Sequence, residues 1–149
     1  MTKLMFVCHG NICRSPMAEF IMKDMVKKAG LSDELEIASS AVSTEELGNH
    51  VYPPARDILA EHGISCKGKC AQLFSRRDYR EYDLILVMDR SNLRNIMRII
   101  GQDTDGKVHL LLEYAGRSDS VADPWYTGDF STAYRDIEEG CRGLLDSLI

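Results

Sequence analysis

The feature that most constrains the fold is an alternation of short apolar runs with amphipathic helix patterns along the whole chain. Strands that are buried on both faces read as continuous apolar runs, because neither face meets water. Four such runs are predicted to be strands, at residues 4–8, 35–39, 83–88 and 107–112. The clearest of them is 84–87, which consists only of leucine, isoleucine and valine.

Helix patterns follow these runs. The first begins at Ser15 and Pro16, since serine can cap free amides and proline costs nothing at the first helical position, and it ends at Gly30. The others are predicted at 53–63, before Gly101, and at 130–148, with a turn-rich loop at 116–128. Right-handed crossovers then give an α/β fold, a small doubly wound, four-stranded and mainly parallel sheet with helices on both faces. We expect one domain spanning residues 1–149.

Charge and composition exclude several classes of protein. Eighteen Lys and Arg against 23 Asp and Glu give a net charge of −5, which is unfavourable for a nucleic-acid binder. The apolar runs are much shorter than the about 18 residues of a membrane span, and the first is too short for a signal-peptide core. Five cysteines, an odd number, indicate thiols rather than a disulfide framework. The sequence therefore predicts a cytoplasmic protein, which we also expect to be a monomer.

The loop after the first strand carries the chemistry. Cys8 and Arg14 are separated by five residues that include Gly10, and Ser15 and Pro16 follow at the helix start. Such a loop can turn its amides toward one point, where they bind a phosphate-like dianion together with a guanidinium. The same field favours the thiolate form of Cys8 and makes it a nucleophile. A second match to the spacing, at 70–76, has neither the glycine nor the flanking strand and helix start.

This loop and three further segments resemble the low-molecular-weight protein tyrosine phosphatases, over essentially the entire chain. The matching segments are residues 7–19, 39–41, 88–89 and 123–126. The resemblance implies that a phosphotyrosine-containing protein, or an aryl phosphate, is hydrolysed through a phosphocysteine on Cys8. It also implies that neither a metal nor an organic cofactor takes part.

The resemblance assigns roles to individual residues. Arg14 would stabilise the transferred phosphoryl group, and Asp123 would act as general acid and then as base. The proposed substrate-binding residues are His9, Gly10, Asn11, Ile12, Cys13, Ser15, Trp125 and Tyr126. Asn11 and Ser40 would brace the loop. Cys13 would capture oxidised Cys8 as a disulfide, which keeps the oxidation reversible.

Two positions depart from the family pattern. Glu45 stands where the family usually offers a second aromatic residue on the rim of the site, so we expect acidic phosphopeptides to be poorer substrates. Gly68 and Lys69 stand where a histidine often follows a glycine, which predicts that the loop is braced differently.

Other functions remain open from the sequence. Cys66 and Cys70 keep an arsenate reductase in view, although the segment 123–126 favours a phosphatase. A protein arginine phosphatase would have threonine in place of Ile12, and a non-catalytic phosphate-binding module would need neither Cys8 nor an acid. A metal site at 62–70 is disfavoured by two helix-breaking glycines. The sequence identifies no acid–base partner for His9, His50 or His109, so we predict that these histidines face solvent or contribute to packing.

Overall fold

A computed structural model describes residues 1–149 and contains a single four-stranded sheet. Its strands are β1 (Thr2–Cys8), β2 (Leu35–Ala41), β3 (Leu84–Val87) and β4 (Val108–Leu110), in the order β2-β1-β3-β4. Every neighbouring pair is parallel. The predicted fold class is confirmed, and the sheet is parallel throughout rather than mainly.

The chain forms six α-helices, most of which cover the two faces of this sheet. They are α1 (Arg14–Lys28), α2 (Pro53–Glu61), α3 (Arg76–Glu81), α4 (Arg90–Ile100), α5 (Pro124–Thr127) and α6 (Phe130–Leu148). Helices α1, α2 and α6 share one apolar core with alternate residues of β1, whereas α3 and α4 pack on the other face. None of the six combines the length and the apolar composition that a membrane-crossing helix needs.

The first apolar run forms β1, an interior strand of the sheet that packs against a core on each of its faces. Leu4 and Phe6 face the core under α1 and α6, whereas Met5 and Val7 face the core under α4. All four side chains are buried. Successive residues of a strand point to opposite faces, so a strand covered on both sides needs apolar residues at every position.

One strand boundary was predicted wrongly, and two short helices are absent from the sequence prediction. The fourth strand ends at Leu110, and the next residues form a 3-10 helix, Leu111–Ala115. Leu111 and Leu112 are apolar because they are buried beside α6, not because they continue the strand. Helix α3 was missed since it is short and mostly charged, with only Tyr79 buried. Helix α5 lies inside the segment predicted as loop.

The carboxyl ends of β1 and β3 lie side by side, since Val7 pairs with Val87. The segment after β1 leads into α1, and Asp89, just after β3, leads into α4. In a parallel sheet, loops at this edge form the ligand site. The fold thus brings residues 8–14 next to Asp89 although they are distant in sequence.

The close approach of α6 to the 3-10 helix gives a test of this packing. A Cβ at Gly143 would overlap the backbone carbonyl of Tyr114, which cannot move aside. We expect Gly143→Ala to lower the free energy of unfolding by about 2–4 kcal/mol, measured by urea denaturation. Arg142→Ala is the control, because it introduces alanine at the neighbouring exposed position of α6 and should leave the stability nearly unchanged. Equal stabilities of the two variants would contradict this packing.

Candidate active site

The loop between β1 and α1 turns its carbonyl groups outward. Four of its carbonyl oxygens accept backbone hydrogen bonds from flanking segments; the bonds run from Val42 to Cys8, Ser43 to His9, Tyr52 to Ile12 and Met17 to Cys13. Within a peptide unit the N–H points opposite to the C=O, so the loop amides face the other way. The amide of Asn11 shows the direction, because it donates to the Cys8 sulfur at 3.3 Å.

Asn11 is the strained residue of this loop. It is the one non-glycine residue with a positive φ, 59°, a conformation that costs about 1–2 kcal/mol. Its buried side chain compensates with three hydrogen bonds. Asn11 Oδ1 accepts from the Gln72 amide at 3.1 Å, and Nδ2 donates to the hydroxyls of Ser15 at 2.8 Å and Ser39 at 2.9 Å.

The sequence analysis predicted that Ser40 braces the loop with Asn11, but the structure places a different serine against the Asn11 side chain. Ser39 makes this contact, whereas the Ser40 hydroxyl donates to the sulfur of Met5 at 3.3 Å. The two serines are neighbours in β2, so their side chains point to opposite faces. Ser40 contributes only its carbonyl oxygen, which accepts from the Ser15 hydroxyl at 3.4 Å.

The Cys8 sulfur lies at the bottom of the loop, where it is buried. The Ser15 hydroxyl is 3.0 Å from it. Since Ser15 accepts from Asn11, its single hydrogen faces two acceptors, the sulfur at 3.0 Å and the Ser40 carbonyl oxygen at 3.4 Å. The Asn11 amide and the Ser15 hydroxyl thus both lie within hydrogen-bonding distance of the sulfur.

Arg14 is buried beside the same cleft and joins three segments. Its Nη1 donates to Asp89 at 2.7 Å and to the Val121 carbonyl at 2.8 Å, and its Nη2 is 3.4 Å from Asp123. Burial by itself lowers the pKa of Arg14, but the negative charges of Cys8, Asp89 and Asp123 outweigh it and the net pKa is raised. The guanidinium stays cationic.

Asp89 is a site residue to which the sequence analysis gave no role. One of its oxygens accepts from the Asn92 amide at 2.8 Å and caps α4, while the other accepts from Arg14. The sequence signal that could have identified Asp89 is its position shortly after β3, at the carboxyl edge of the sheet.

Asp123 caps the short helix α5 and faces the cleft. Its Oδ1 accepts from the Trp125 amide at 3.1 Å, and its side chain is one quarter exposed. The preceding segment is fixed by a hydrogen bond from the Val121 amide to the Met88 carbonyl at 3.0 Å. The carboxyl group therefore points over the loop while remaining open to solvent.

Aromatic and acidic side chains form the rim of a cleft of about 120 Å³ above the loop. Trp125 and Tyr126 are 52% and 84% exposed, which is unusual for large apolar side chains. The centroid of the Tyr52 ring lies 4.8 Å from that of Trp125, with the two ring planes inclined by 53°. Glu45 and Glu46 also line the cleft, together with His9, Gly10 and Ile12.

His9 is exposed, which agrees with its prediction as a solvent-facing residue, and it has an acidic partner that the sequence analysis did not name. Its Nε2 lies 3.0 Å from a carboxylate oxygen of Glu45, and both side chains are exposed. Gly10 has a separate reason to be glycine, because a Cβ there would come within 3.3 Å of the Glu46 side chain.

The other cysteines are placed differently. Cys13 lines the cleft but is buried against Ile12 and Ala71, and burial, followed by the charge of Cys8, raises its pKa to about 12. Cys66 lines a separate groove of about 570 Å³, which contains neither Cys8 nor Asp123. Cys70 lies 3.6 Å from the ring of His50.

The residues 62–70 do not form a metal site. His62 stacks on Tyr134 at 4.0 Å instead of facing a cysteine. No group of three or more potential ligands in the chain is arranged to hold a metal ion.

Comparison with known proteins agrees with this geometry. The family model described as low molecular weight phosphotyrosine protein phosphatase matches residues 3–149. The chain belongs to this family. As a member it is a cysteine-dependent protein tyrosine phosphatase, so the enzyme class predicted from the sequence is confirmed.

Relatives of this phosphatase span its full length. The low molecular weight phosphotyrosine protein phosphatase of Schizosaccharomyces pombe is 40% identical and covers 99% of each chain. The crystal structure of YfkJ from Bacillus subtilis, 37% identical, covers 99% of this chain and 94% of that one with a TM-score of 0.96. The crystal structure of a Drosophila arginine phosphatase, 30% identical, covers 99% of this chain and 98% of that one with a TM-score of 0.90.

Proposed function

We propose that this phosphatase hydrolyses phosphotyrosine in protein substrates, with Cys8 as nucleophile, Arg14 as phosphate ligand and Asp123 as general acid. The observation that carries the proposal is the arrangement around Cys8. The Cys8 sulfur lies in a loop whose carbonyl groups point outward, in contact with the Asn11 amide and the Ser15 hydroxyl, and next to a buried guanidinium and a carboxyl group that the guanidinium contacts. Binding alone would need neither a nucleophile nor an acid.

The first step transfers the phosphoryl group to sulfur. The Cys8 thiolate attacks phosphorus, an S–P bond forms and the bond from phosphorus to the tyrosine oxygen breaks. Asp123 donates its proton to the leaving oxygen, because a phenolate whose pKa is about 10 is otherwise a poor leaving group. Arg14 and the loop amides bind the equatorial oxygens in the transition state.

The second step releases phosphate. Asp123, now a carboxylate, removes a proton from water as that water attacks phosphorus and the S–P bond breaks. The electrons return to Cys8, whose sulfur regains a full negative charge. The Ser15 hydroxyl, 3.0 Å from the sulfur, donates to the leaving thiolate and lowers this barrier.

The rim of the cleft would select the leaving group. The exposed rings of Trp125 and Tyr126 offer a flat apolar wall to an aromatic substrate ring. Ile12 supplies a further apolar surface at the loop. This environment favours a tyrosine ring over the charged guanidinium of phosphoarginine, and the absence of Cys66 and Cys70 from the cleft disfavours arsenate reduction. A cytoplasmic, monomeric enzyme remains part of the proposal.

The decisive experiment compares phosphate release from matched phosphotyrosine and phosphoarginine peptides near pH 6. We expect selective release from phosphotyrosine and none with Cys8→Ser.

Asp123→Asn should lower kcat for phosphotyrosine by about 100-fold or more, and by much less for an aryl phosphate with a more acidic leaving group. Preference for phosphoarginine, or equal losses on both aryl substrates, would contradict the proposal. If no phosphate is released at all, arsenate reduction with a thiol donor is the next assay.

The acidic rim predicts a substrate preference. Glu45 is 70% exposed beside the cleft, so it repels carboxylates that flank the phosphotyrosine. We expect Glu45→Gln to raise kcat/KM for an acidic phosphopeptide relative to a neutral one by about two- to fivefold at low salt, and by less at high salt. Glu34→Gln, the same change beside the amino end of β2, should leave this ratio unaltered. An unchanged ratio in Glu45→Gln would refute the role of the rim.

Cys13 predicts reversible inactivation by peroxide. The Cys8 thiolate attacks peroxide, forming a sulfenic acid and releasing hydroxide; the Cys13 thiol then displaces water and forms an S–S bond. Because its pKa is about 12, Cys13 reacts only after Cys8 is oxidised. We expect a dithiol to restore wild-type activity and to restore Cys13→Ser much less completely. Full recovery of the variant would show that Cys13 is not the resolving thiol.

A further inference from the structure

Three arginines lie along the outer side of α4, and we call them the arginine row. Arg90, Arg94 and Arg98 are four residues apart, so they follow one another along the helix and span about 12 Å. All three are exposed. Ile96, on the opposite side of the helix, is buried in the core under the sheet. The row therefore presents three positive charges to solvent.

The charges of the row have no acidic partner within the protein. The one side-chain hydrogen bond of the row runs from Arg98 to the amide oxygen of Asn95 at 3.3 Å. Helix α4 contains neither aspartate nor glutamate. The arginines that do form ion pairs are Arg14, Arg56, Arg77 and Arg117. All three guanidinium groups of the row are thus available to a carboxylate from another molecule.

The stability of the helix does not explain the row. Like charges four residues apart repel one another, and the row contains two such pairs. Arg90 is the first residue of α4, where the helix dipole favours a negative charge. In other helices, bases at the same spacing are paired with acids: Lys23 with Glu19, Lys28 with Asp24 and Arg77 with Glu81. Helix α4 departs from this pattern, which points to a role outside the fold.

The row begins at the edge of the substrate cleft. Arg90 directly follows Asp89, whose carboxylate accepts from Arg14 at 2.7 Å. The strand order places β1 and its loop between β2 and β3. Glu45 and Glu46 follow β2 on one flank of this loop, whereas α4 follows β3 on the other flank. A bound substrate protein therefore meets an acidic surface on one side of the cleft and a basic surface on the other.

We propose that the arginine row is a docking surface for an acidic segment of the phosphotyrosine-containing protein substrate. Guanidinium groups bind carboxylates through paired hydrogen bonds, and a row of them attracts an acidic segment more strongly than one base does. The segment lies away from the phosphotyrosine itself, because Glu45 repels carboxylates that flank the phosphotyrosine closely. This inference rests on the proposed function, since the docked segment belongs to the same substrate.

A short acidic segment fits the row better than an extended polyanion does. The whole chain has a net charge of −5, which repels a nucleic acid or an anionic membrane that covers much of its surface. Charges separated by more than about 8–10 Å are largely screened at ordinary salt. A segment that contacts only the row therefore experiences mainly its three positive charges.

Phosphotyrosine peptides with tails of different charge test the inference. Neutral residues surround the phosphotyrosine, and a Gly/Ser linker of about eight residues, which reaches roughly 16 Å, joins it at either end to a short tail of glutamates or of glutamines. We expect wild-type kcat/KM to be about three- to tenfold higher for the glutamate tail at low salt. The difference should disappear near 1 M salt, where the screening length is about 3 Å.

Two triple variants locate the effect. Combining Arg90→Gln, Arg94→Gln and Arg98→Gln should bring the ratio between the two tails to within about 1.5-fold of unity. The matched control removes the same number of charges from exposed positions of α1 and α6, and should keep the wild-type ratio; it combines Lys27→Gln, Arg135→Gln and Arg142→Gln. Both variants should retain wild-type kcat/KM for the glutamine-tailed peptide and for a small aryl phosphate. Thermal unfolding checks that both are folded.

Several results would overturn the inference. These are equal kcat/KM of the wild-type protein for the two tails, an unchanged ratio in the row variant, and equal losses of the ratio in the two triple variants. If the wild-type protein shows no tail preference but sediments with phosphatidylserine vesicles through the row, the surface binds membranes and the inference is wrong.

Binding measurements separate docking from turnover. Fluorescence anisotropy of the labelled peptides gives their Kd for Cys8→Ser, with and without the three substitutions in the row. If the wild-type protein releases no phosphate from any of the peptides, the proposed function fails. Tighter binding of the glutamate-tailed peptide that is lost with the row would then still support docking, and equal binding of both tails would refute it.

Discussion

The buried guanidinium of Arg14 is the contact on which the site depends. It is tied at once to Asp89 after β3, to the Val121 carbonyl and to Asp123, so it holds the first loop, the third strand and the acid-bearing segment in one arrangement. A buried cation without partners would be costly, and these partners offset that cost. Because its planar head offers several donors, Arg14 can hold these partners and still present N–H groups to a phosphate.

A second constraint is the direction of the polar network behind the loop. Asn11 adopts a positive φ of 59° because the loop must turn its amides inward, and three side-chain hydrogen bonds hold it there. Buried polar networks of this kind are favourable only when all members are satisfied. No buried side-chain nitrogen or oxygen in the protein is without a partner, so the network is complete. Its geometry and charges therefore bear on the nucleophile as well as on folding.

Site chemistry could be predicted best where the functional residues are contiguous in sequence. The spacing of Cys8 and Arg14, with a strand before and Ser15 after, indicated an anion-binding loop on chemical grounds alone. The contribution of Asp89 was missed because its partner lies 75 positions away and nothing local links the two. The resemblance gave the bracing role to Ser40. Sequence order does not reveal which face of β2 points toward α1, and in the structure it is Ser39 that contacts Asn11 and Glu19.

The sequence by itself determined the alternation of strands and helices, the two-sided burial of the sheet and the nature of the nucleophilic loop, because these depend on hydrophobic periodicity and on residues close together in the chain. Tertiary structure alone decided three further features. The apolar run leaves the sheet after Leu110, and the acids that contact Arg14 are Asp89 and Asp123. The buried side chain of Lys69 lies next to the buried carboxylate of Glu19. Those outcomes depend on distances between segments far apart in sequence. Because these segments are buried, their short separations give strong electrostatic and hydrogen-bond interactions, and no local sequence pattern predicts them.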